Sequence, residues 1–234
     1  MPEDPPLGEP VDWVPARAPE REPLRGGSVL VRPVDPRGDA EALFAASHEP
    51  AGDPAIWTYL PYGPYGCAAD LREVYDAAKG DADPILFAIC PLPAERPLGV
   101  AAYLNINPAS GTIEIGHVWF AAALQRTTPA SEAIFLLARH AFDDLGYRRL
   151  EWKCNSLNAA SRRAAERFGF TFEGIFRKHM VTKGRSRDSA WYSITDDEWP
   201  AVRSGFQAWL APGNRAPEGS QRRTLGDLIG AARA

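Results

Sequence analysis

Cysteine is scarce in this chain. Cys67, Cys90 and Cys154 are the only three among 234 residues, and no two of them form a CxxC pair. An odd, scattered set argues against a disulfide framework and against a zinc site. Histidine is scarcer than a metal centre would need: His48, His117, His140 and His179 fall in no ligand spacing, so no metal is expected. Basic residues are not in excess either. The formal net charge is −4, which gives no support for a nucleic-acid or anionic-membrane partner. Long apolar runs are missing, so no membrane span is expected. The opening MPEDPPLGEP is acidic and proline-rich and has neither the basic nor the apolar region of a secretory signal. A cytoplasmic protein is the expectation.

What the chain does have is 45% hydrophobic and 24% charged residues, the balance of an ordinary globular domain. Residues 1–25 read as an extended, proline-rich arm. From Ser28 the pattern becomes structured. VLVRPV is strand-like, and DAEALFAAS (Asp39 to Ser47) is helical with an acidic first turn. WTYLPYGPYG is an aromatic loop, and ADLREVYDAAKG is helical. PILFAIC, PLGVAAYLNI and TIEIGHVWF are three strands. Ile134, Leu137, Ala138, Ala141, Phe142 and Leu145 recur on one helix face, which Gly146 ends. RRLEWKC alternates as a strand, Asn158 caps the helix AASRRAAERF, and Gly169 closes it. FTFEGIF and SAWYSI are the last strands, joined by a basic turn. The segment past Pro212 reads as peripheral. This order describes one mixed α/β domain.

The stretch ALQRTTPASEA, between TIEIGHVWF and the long helix, has no glycine. Thr128 followed by Pro129 reads as an N-cap and first helical residue. The first-turn amides and the helix dipole suit a phosphate, and Arg126 adds a charge. A Walker loop and the dinucleotide fingerprint are both excluded, because their glycines are absent. On local sequence alone, Thr128 as a plain cap competes with phosphate binding.

The ordered series EIGHVWF, LQRTTPASEA, RHAFDDLGYRRLEWKCNSLNAASRRAAERFGFTFEGIFRKHM and RDSAWYSITDDEWP resembles the GNAT acetyltransferase superfamily, with the RimJ/RimL-type branch nearest. The resemblance covers roughly residues 28–210. It implies a single GNAT-like domain over residues 26–211, of α/β (α+β) class, with a mixed, mostly antiparallel twisted sheet flanked by helices. Residues 212–234 are left as a tail. The function it implies is transfer of an acetyl group from acetyl-CoA (coenzyme A) to a primary amine of a small molecule or peptide N-terminus. The alternative is a silent acyl-CoA sensor or interaction module on the same fold.

In that family a Q/R‑x‑x‑G‑x‑G/A loop holds the coenzyme pyrophosphate. Gln125 and Ala130 match its ends, and Thr128 replaces the middle glycine, so the loop must avoid positive φ at residue 128. The resemblance thus implies Gln125, Arg126, Thr127, Thr128, Pro129, Ala130 and Ser131 at the phosphates. It places the backbone of Val118 and Phe120 along the pantetheine, and Asn158, Ser161 and Arg162 beside the coenzyme. Glu114 is the expected proton acceptor, and reads otherwise as a solvent-facing or salt-bridged strand carboxylate. Ala165 stands where many relatives have a tyrosine acid, which leaves Ser161 and Tyr192 as donors. Cys154, on an apolar strand face, reads as a packed thiol. Trp57, Tyr59, Tyr62, Arg177 and His179 are the expected acceptor wall. Arg162 reads equally as part of a solvated helix face, and the aromatics equally as core. A monomer or homodimer fits.

Overall fold

A computed structural model describes residues 7–234 apart from 49, 51 and 81; positions 1–6 of the expected arm therefore lie outside it. Eight strands form one sheet in the order β1-β2-β3-β4-β5-β6-β8-β7. They are β1 (Leu24–Arg25), β2 (Val29–Pro33), β3 (Ile85–Pro91), β4 (Gly99–Asn107), β5 (Thr112–Phe120), β6 (Arg149–Asn155), β7 (Thr171–Thr182) and β8 (Arg185–Thr195). Only β5 and β6 run parallel; the other neighbours are antiparallel. The helices are α1 (Pro36–Ser47), α2 (Ala68–Ala78), α3 (Thr128–Arg139), α4 (Ala159–Arg167), α5 (Trp199–Leu210) and α6 (Leu225–Arg233). The expected mixed, mostly antiparallel α/β sheet is what forms.

Both faces of the sheet are covered. Ile85, Phe87 and Ile89 of β3 and Ala101 and Tyr103 of β4 point into the core shared with α3. The alternate residues Leu86, Val100 and Ala102 meet Leu43 of α1, Leu71 and Tyr75 of α2, and Trp57 and Trp119. A strand buried on both sides needs apolar residues at every position, which is why β3 reads as a run without alternation. On the half-open β6 the alternation survives: Leu150, Trp152 and Cys154 are buried, while Arg149, Glu151 and Lys153 are partly exposed.

Two helical segments differ from expectation for one reason. α3 is buried on every side from Ala130 to Ala138, not along a single face. Its outer side is covered by α5, where Phe135 stacks on Phe206 at 5.0 Å and on Trp199 at 6.1 Å. α5 is not among the helices expected from the sequence; the segment contains Pro200 and Gly205, both poor helix formers. Pro200 sits in the first turn, where its missing N–H is harmless. Gly205 is where α6 crosses: a Cβ there would lie 2.5 Å from Ile229 Cγ1 and 2.8 Å from its Cα. The segment past Pro212 is therefore not peripheral, since Leu225 and Ile229 of α6 are buried in the main core. Nor is the arm detached: Ala16 is buried, its amide donates to Pro108 O, and the Trp13 indole donates to Ala109 O. α1 starts at Pro36, capped by Asp35, while Asp39 turns inward to a two-point pair with Arg32 at 2.6 and 2.7 Å.

Candidate functional site

β5 and β6 pair only at Thr112–Glu114 with Arg149–Glu151. Beyond Glu114 they splay, and their facing edges are left without each other's hydrogen bonds. The cause lies in β5 itself. Its register with β4 slips between Gly116 and Trp119, with His117 at φ 51°, and a bulge bends and twists the strand that carries it. The gap opens into a cavity of about 500 Å³, large enough for a small molecule.

The cavity joins the two faces of the sheet. On the α3–α4 side it is lined by Trp152, Cys154, Asn158 and Ser161. Asn158 caps α4, its Oδ1 accepting from the Ser161 amide at 3.0 Å. Ser161 Oγ accepts the Trp152 indole N–H at 3.0 Å, so its own proton is left to donate. Burial pushes the Cys154 thiol up, and no base lies in contact to activate it; the packed-thiol reading fits. Arg162 lies outside the lining, its Nε donating to Tyr192 Oη at 3.1 Å. Tyr192 Oη in turn donates to Glu166 Oε1 at 3.3 Å. Tyr192 is fully buried beneath α4 and does not reach the cavity. The expectation of Tyr192 as a donor is corrected accordingly.

On the opposite face the cavity is lined by Glu114, Lys153, His117, Tyr59, His179, Arg187 and Trp191, among others. Glu114 Oε2 meets Lys153 Nζ at 2.9 Å and Asn105 Nδ2 at 2.6 Å. Burial raises its pKa above the ordinary carboxylate value, and Lys153 only partly opposes that shift. Gly116 keeps the approach to it open, since a Cβ there would sit 3.2 Å from Glu114 Oε1. Lys153 is shared with Glu151 at 2.7 Å and lies 4.0 Å from the centre of the Trp191 ring. His117 was read only as part of the strand that pairs with pantetheine. Its ring stacks on Tyr62, Nδ1 is 3.0 Å from the Tyr62 hydroxyl, and burial lowers its pKa.

Three of the expected wall residues are not on the wall. Trp57 is 1% exposed and belongs to the second core, against Trp119. Tyr62 stands behind His117 and is not a lining residue. Arg177 is exposed and outside the cavity; the register of β7 slips between Phe176 and Met180, and the guanidinium that enters is Arg187 of β8. Tyr59 and His179 do line the cavity.

The turn before α3 is one residue out of the expected register. Thr127 is the N-cap, its Oγ1 accepting from the Ala130 amide at 3.3 Å, and Pro129 is the second helical residue. Positive φ falls at Arg126, so Thr128 is spared it. Several groups expected at the phosphates are engaged internally. Gln125 Nε2 donates to Phe120 O, and the Ser131 amide donates to Thr127 O. Among the described residues, the amides of Arg126 and Thr128 have no hydrogen-bond partner. Around them stand guanidinium groups without carboxylate partners among the described residues: Arg126 itself, Arg167 on Ser131 Oγ at 3.0 Å, and Arg215 on Thr128 Oγ1 at 2.8 Å. Arg167 and Arg215 both stack on Trp209. Sequence reading missed these two, because one closes α4 and the other lies beyond α5.

Parallel strands that splay around a cavity, in a mixed and mostly antiparallel eight-stranded sheet covered by helices, define an α/β acyltransferase-type fold. The acetyltransferase (GNAT) domain matches residues 28–171. The chain belongs to the GNAT acetyltransferase family. A GCN5-related N-acetyltransferase from Brucella melitensis is 43% identical and superposes with a TM-score of 0.89 over 94% of this chain and 99% of that one. A probable GNAT-family acetyltransferase from Chromobacterium violaceum ATCC 12472 is 40% identical, with a TM-score of 0.77 over 86% of this chain and 99% of that one. The SPbeta prophage-derived uncharacterized N-acetyltransferase YokL of Bacillus subtilis (strain 168) is 34% identical over 70 residues. That match spans 30% of this chain and 40% of YokL. Among the described residues no helix is long and apolar enough to cross a membrane, and no cluster of His, Cys, Asp and Glu is arranged to hold a metal.

Proposed function

We propose that the chain is an acetyl-CoA-dependent N-acetyltransferase that acts by direct attack of a primary amine. The gap between β5 and β6 carries the reading: it runs from the start of α4, at Asn158 and Ser161, on one face to a buried carboxylate, Glu114, on the other. The donor set suits coenzyme A. The free amides of Arg126 and Thr128 and the guanidiniums of Arg126, Arg167 and Arg215 would hold the phosphates. The unpaired β5 edge at Val118 would take the pantetheine amides, with Asn158 and Ser161 alongside. When bound, the coenzyme supplies an activated acetyl thioester.

The chain's own groups supply the proton handling. Glu114, its pKa raised by burial with only partial opposition from Lys153, accepts the amine proton within the cavity. Ser161 Oγ, whose hydroxyl proton also reaches the Cys154 sulfur, supplies a proton to the departing thiolate. Ala165 is completely buried, and Ser161 takes the place of a tyrosine at that position. A reducing, cytoplasmic setting accords with three unpaired cysteines, and the RimJ/RimL-type branch is the reading taken from the sequence motifs.

Isothermal titration with acetyl-CoA and a thiol-release screen of amines test this. Binding and turnover on at least one amine are expected. Binding without turnover on any acceptor would mark a sensor instead, and no binding at millimolar coenzyme would remove the coenzyme assignment.

A further inference from the structure

Three charged residues line the cavity on the face away from α3: Glu114, Lys153 and Arg187. Glu114 is the one carboxylate in the lining and is already paired with Lys153 at 2.9 Å. Arg187 is different. It is half-buried, its Nε donates to Ser189 Oγ at 3.1 Å, and among the described residues no carboxylate lies within ion-pair distance of it. His179 Nδ1 shares the same Ser189 hydroxyl at 2.9 Å. A guanidinium has five N–H donors in a fixed fork. Arg187 uses one, and a partly desolvated charge left this way favours an anion that completes it. Arg187, Ser189 and Trp191 alternate along β8 onto the face where Lys153 meets Trp191. Arg187 therefore looks across the same space as Glu114 and His117; burial is the main reason that the His117 ring binds a proton less readily, Asp83 opposes it from outside the lining, and Arg187 adds to it least.

We infer that the acceptor is a small amine carrying a carboxylate, amino-acid-like in its chemistry, with the amine held toward Glu114 and His117 and the carboxylate gripped by Arg187. The inference rests on the acetyltransferase reading above and adds the substrate class. A polyamine suits this lining less well: its second ammonium would face Arg187 and Lys153, and among the described lining residues the carboxylate, Glu114, is already paired with Lys153. The volume of about 500 Å³ suits a small molecule.

The test pairs free amino acids with their carboxamides, which lack the anion and carry a less basic amine, so rates are compared at equal concentration of neutral amine, and adds spermidine as a polycation. With acetyl-CoA and the full-length protein, thiol release is expected to favour acids over amides by about tenfold or more in kcat/KM, as a charge-assisted hydrogen bond allows. Arg187→Gln should shrink that preference to within about twofold, and Arg187→Lys should keep part of it. Equal turnover of acids and amides, a preference for spermidine, or an acid preference that survives Arg187→Gln would each overturn the inference. A second readout separates it from the transfer reading: quenching of tryptophan fluorescence, with Trp191 in the wall, on titrating acids and amides. Quenching that selects acids and depends on Arg187, with no thiol released from any amine, sinks the transfer reading and sustains the anion site. Quenching without that selectivity sinks the site.

Discussion

β5 has two neighbours and treats them in opposite ways. Toward β4 it stays paired along nearly its whole length, from Thr112 to Phe120, interrupted by the slip at His117 and by another near Leu104. Toward β6 it pairs for three residues and then leaves. The β4 side is backed by interlocked aromatics, Trp57 on Trp119 at 5.4 Å and Trp57 edge-on to Tyr65 at 5.4 Å. The β6 side is backed by charges and open space. One strand thus serves as scaffold on one edge and lines a cavity on the other. A cavity through a close-packed fold comes from hydrogen bonds given up at a strand edge, provided that the opposite edge is rigid enough to hold the bend.

The largest effect should come from breaking the closed side. Trp57→Ala removes a fully buried indole and should lower stability by about 3–5 kcal/mol, read by urea unfolding. If stability is unchanged, the closed side is not the support. Next comes the open side. Glu114→Gln should cut turnover by about a hundredfold or more while coenzyme affinity by calorimetry stays within about twofold. A wild-type rate would remove Glu114 from the mechanism.

Arg215→Ala should weaken coenzyme binding by about tenfold and leave the acid-over-amide preference untouched. That would separate the proposed phosphate site at the turn before α3 from the proposed acceptor site in the cavity. His117 gives a smaller, pH-dependent effect. Its pKa is lowered on folding from 6.5, so its contribution to stability is present above pH 6.5 and is lost as pH falls below that value. The wild type should therefore lose stability on acidification relative to His117→Gln. Parallel stability–pH curves for the two proteins would contradict the burial of that ring. The smallest effect is expected at Arg177→Ala, which should change kcat/KM by less than about twofold, in contrast to Arg187.

The strand and helix order from β2 to β8 was legible because apolar periodicity and end signals agree there. Asn158 is both a cap by residue type and a cap in space, and RRLEWKC alternates because β6 has one open side. Where the reading failed, the sequence carries two signals that conflict. α5 contains Pro200 and Gly205, each tolerated for a reason that only the tertiary structure supplies. Arg177 and Arg187 look equivalent on paper, but the bulge in β7 shifts which residues face inward, and parity along a strand is lost across a bulge. The aromatic loop reads as a wall because aromatics suit walls and cores equally well; Trp57 went to the core and Tyr59 to the cavity. Within the phosphate turn, the helix start was visible in TTP. Nothing local distinguishes amides that cap their own turn from those left free.

The hydrogen bond from Arg215 to Thr128 ties the chain's last quarter to the turn before α3. Any anion that settles on that turn also meets the arginine, so occupancy and docking of the C-terminal segment favour one another, and reciprocally so. Loading with coenzyme should then shield the stretch around residues 215–222 from a protease, and clipping that stretch should loosen the grip on coenzyme in equal measure.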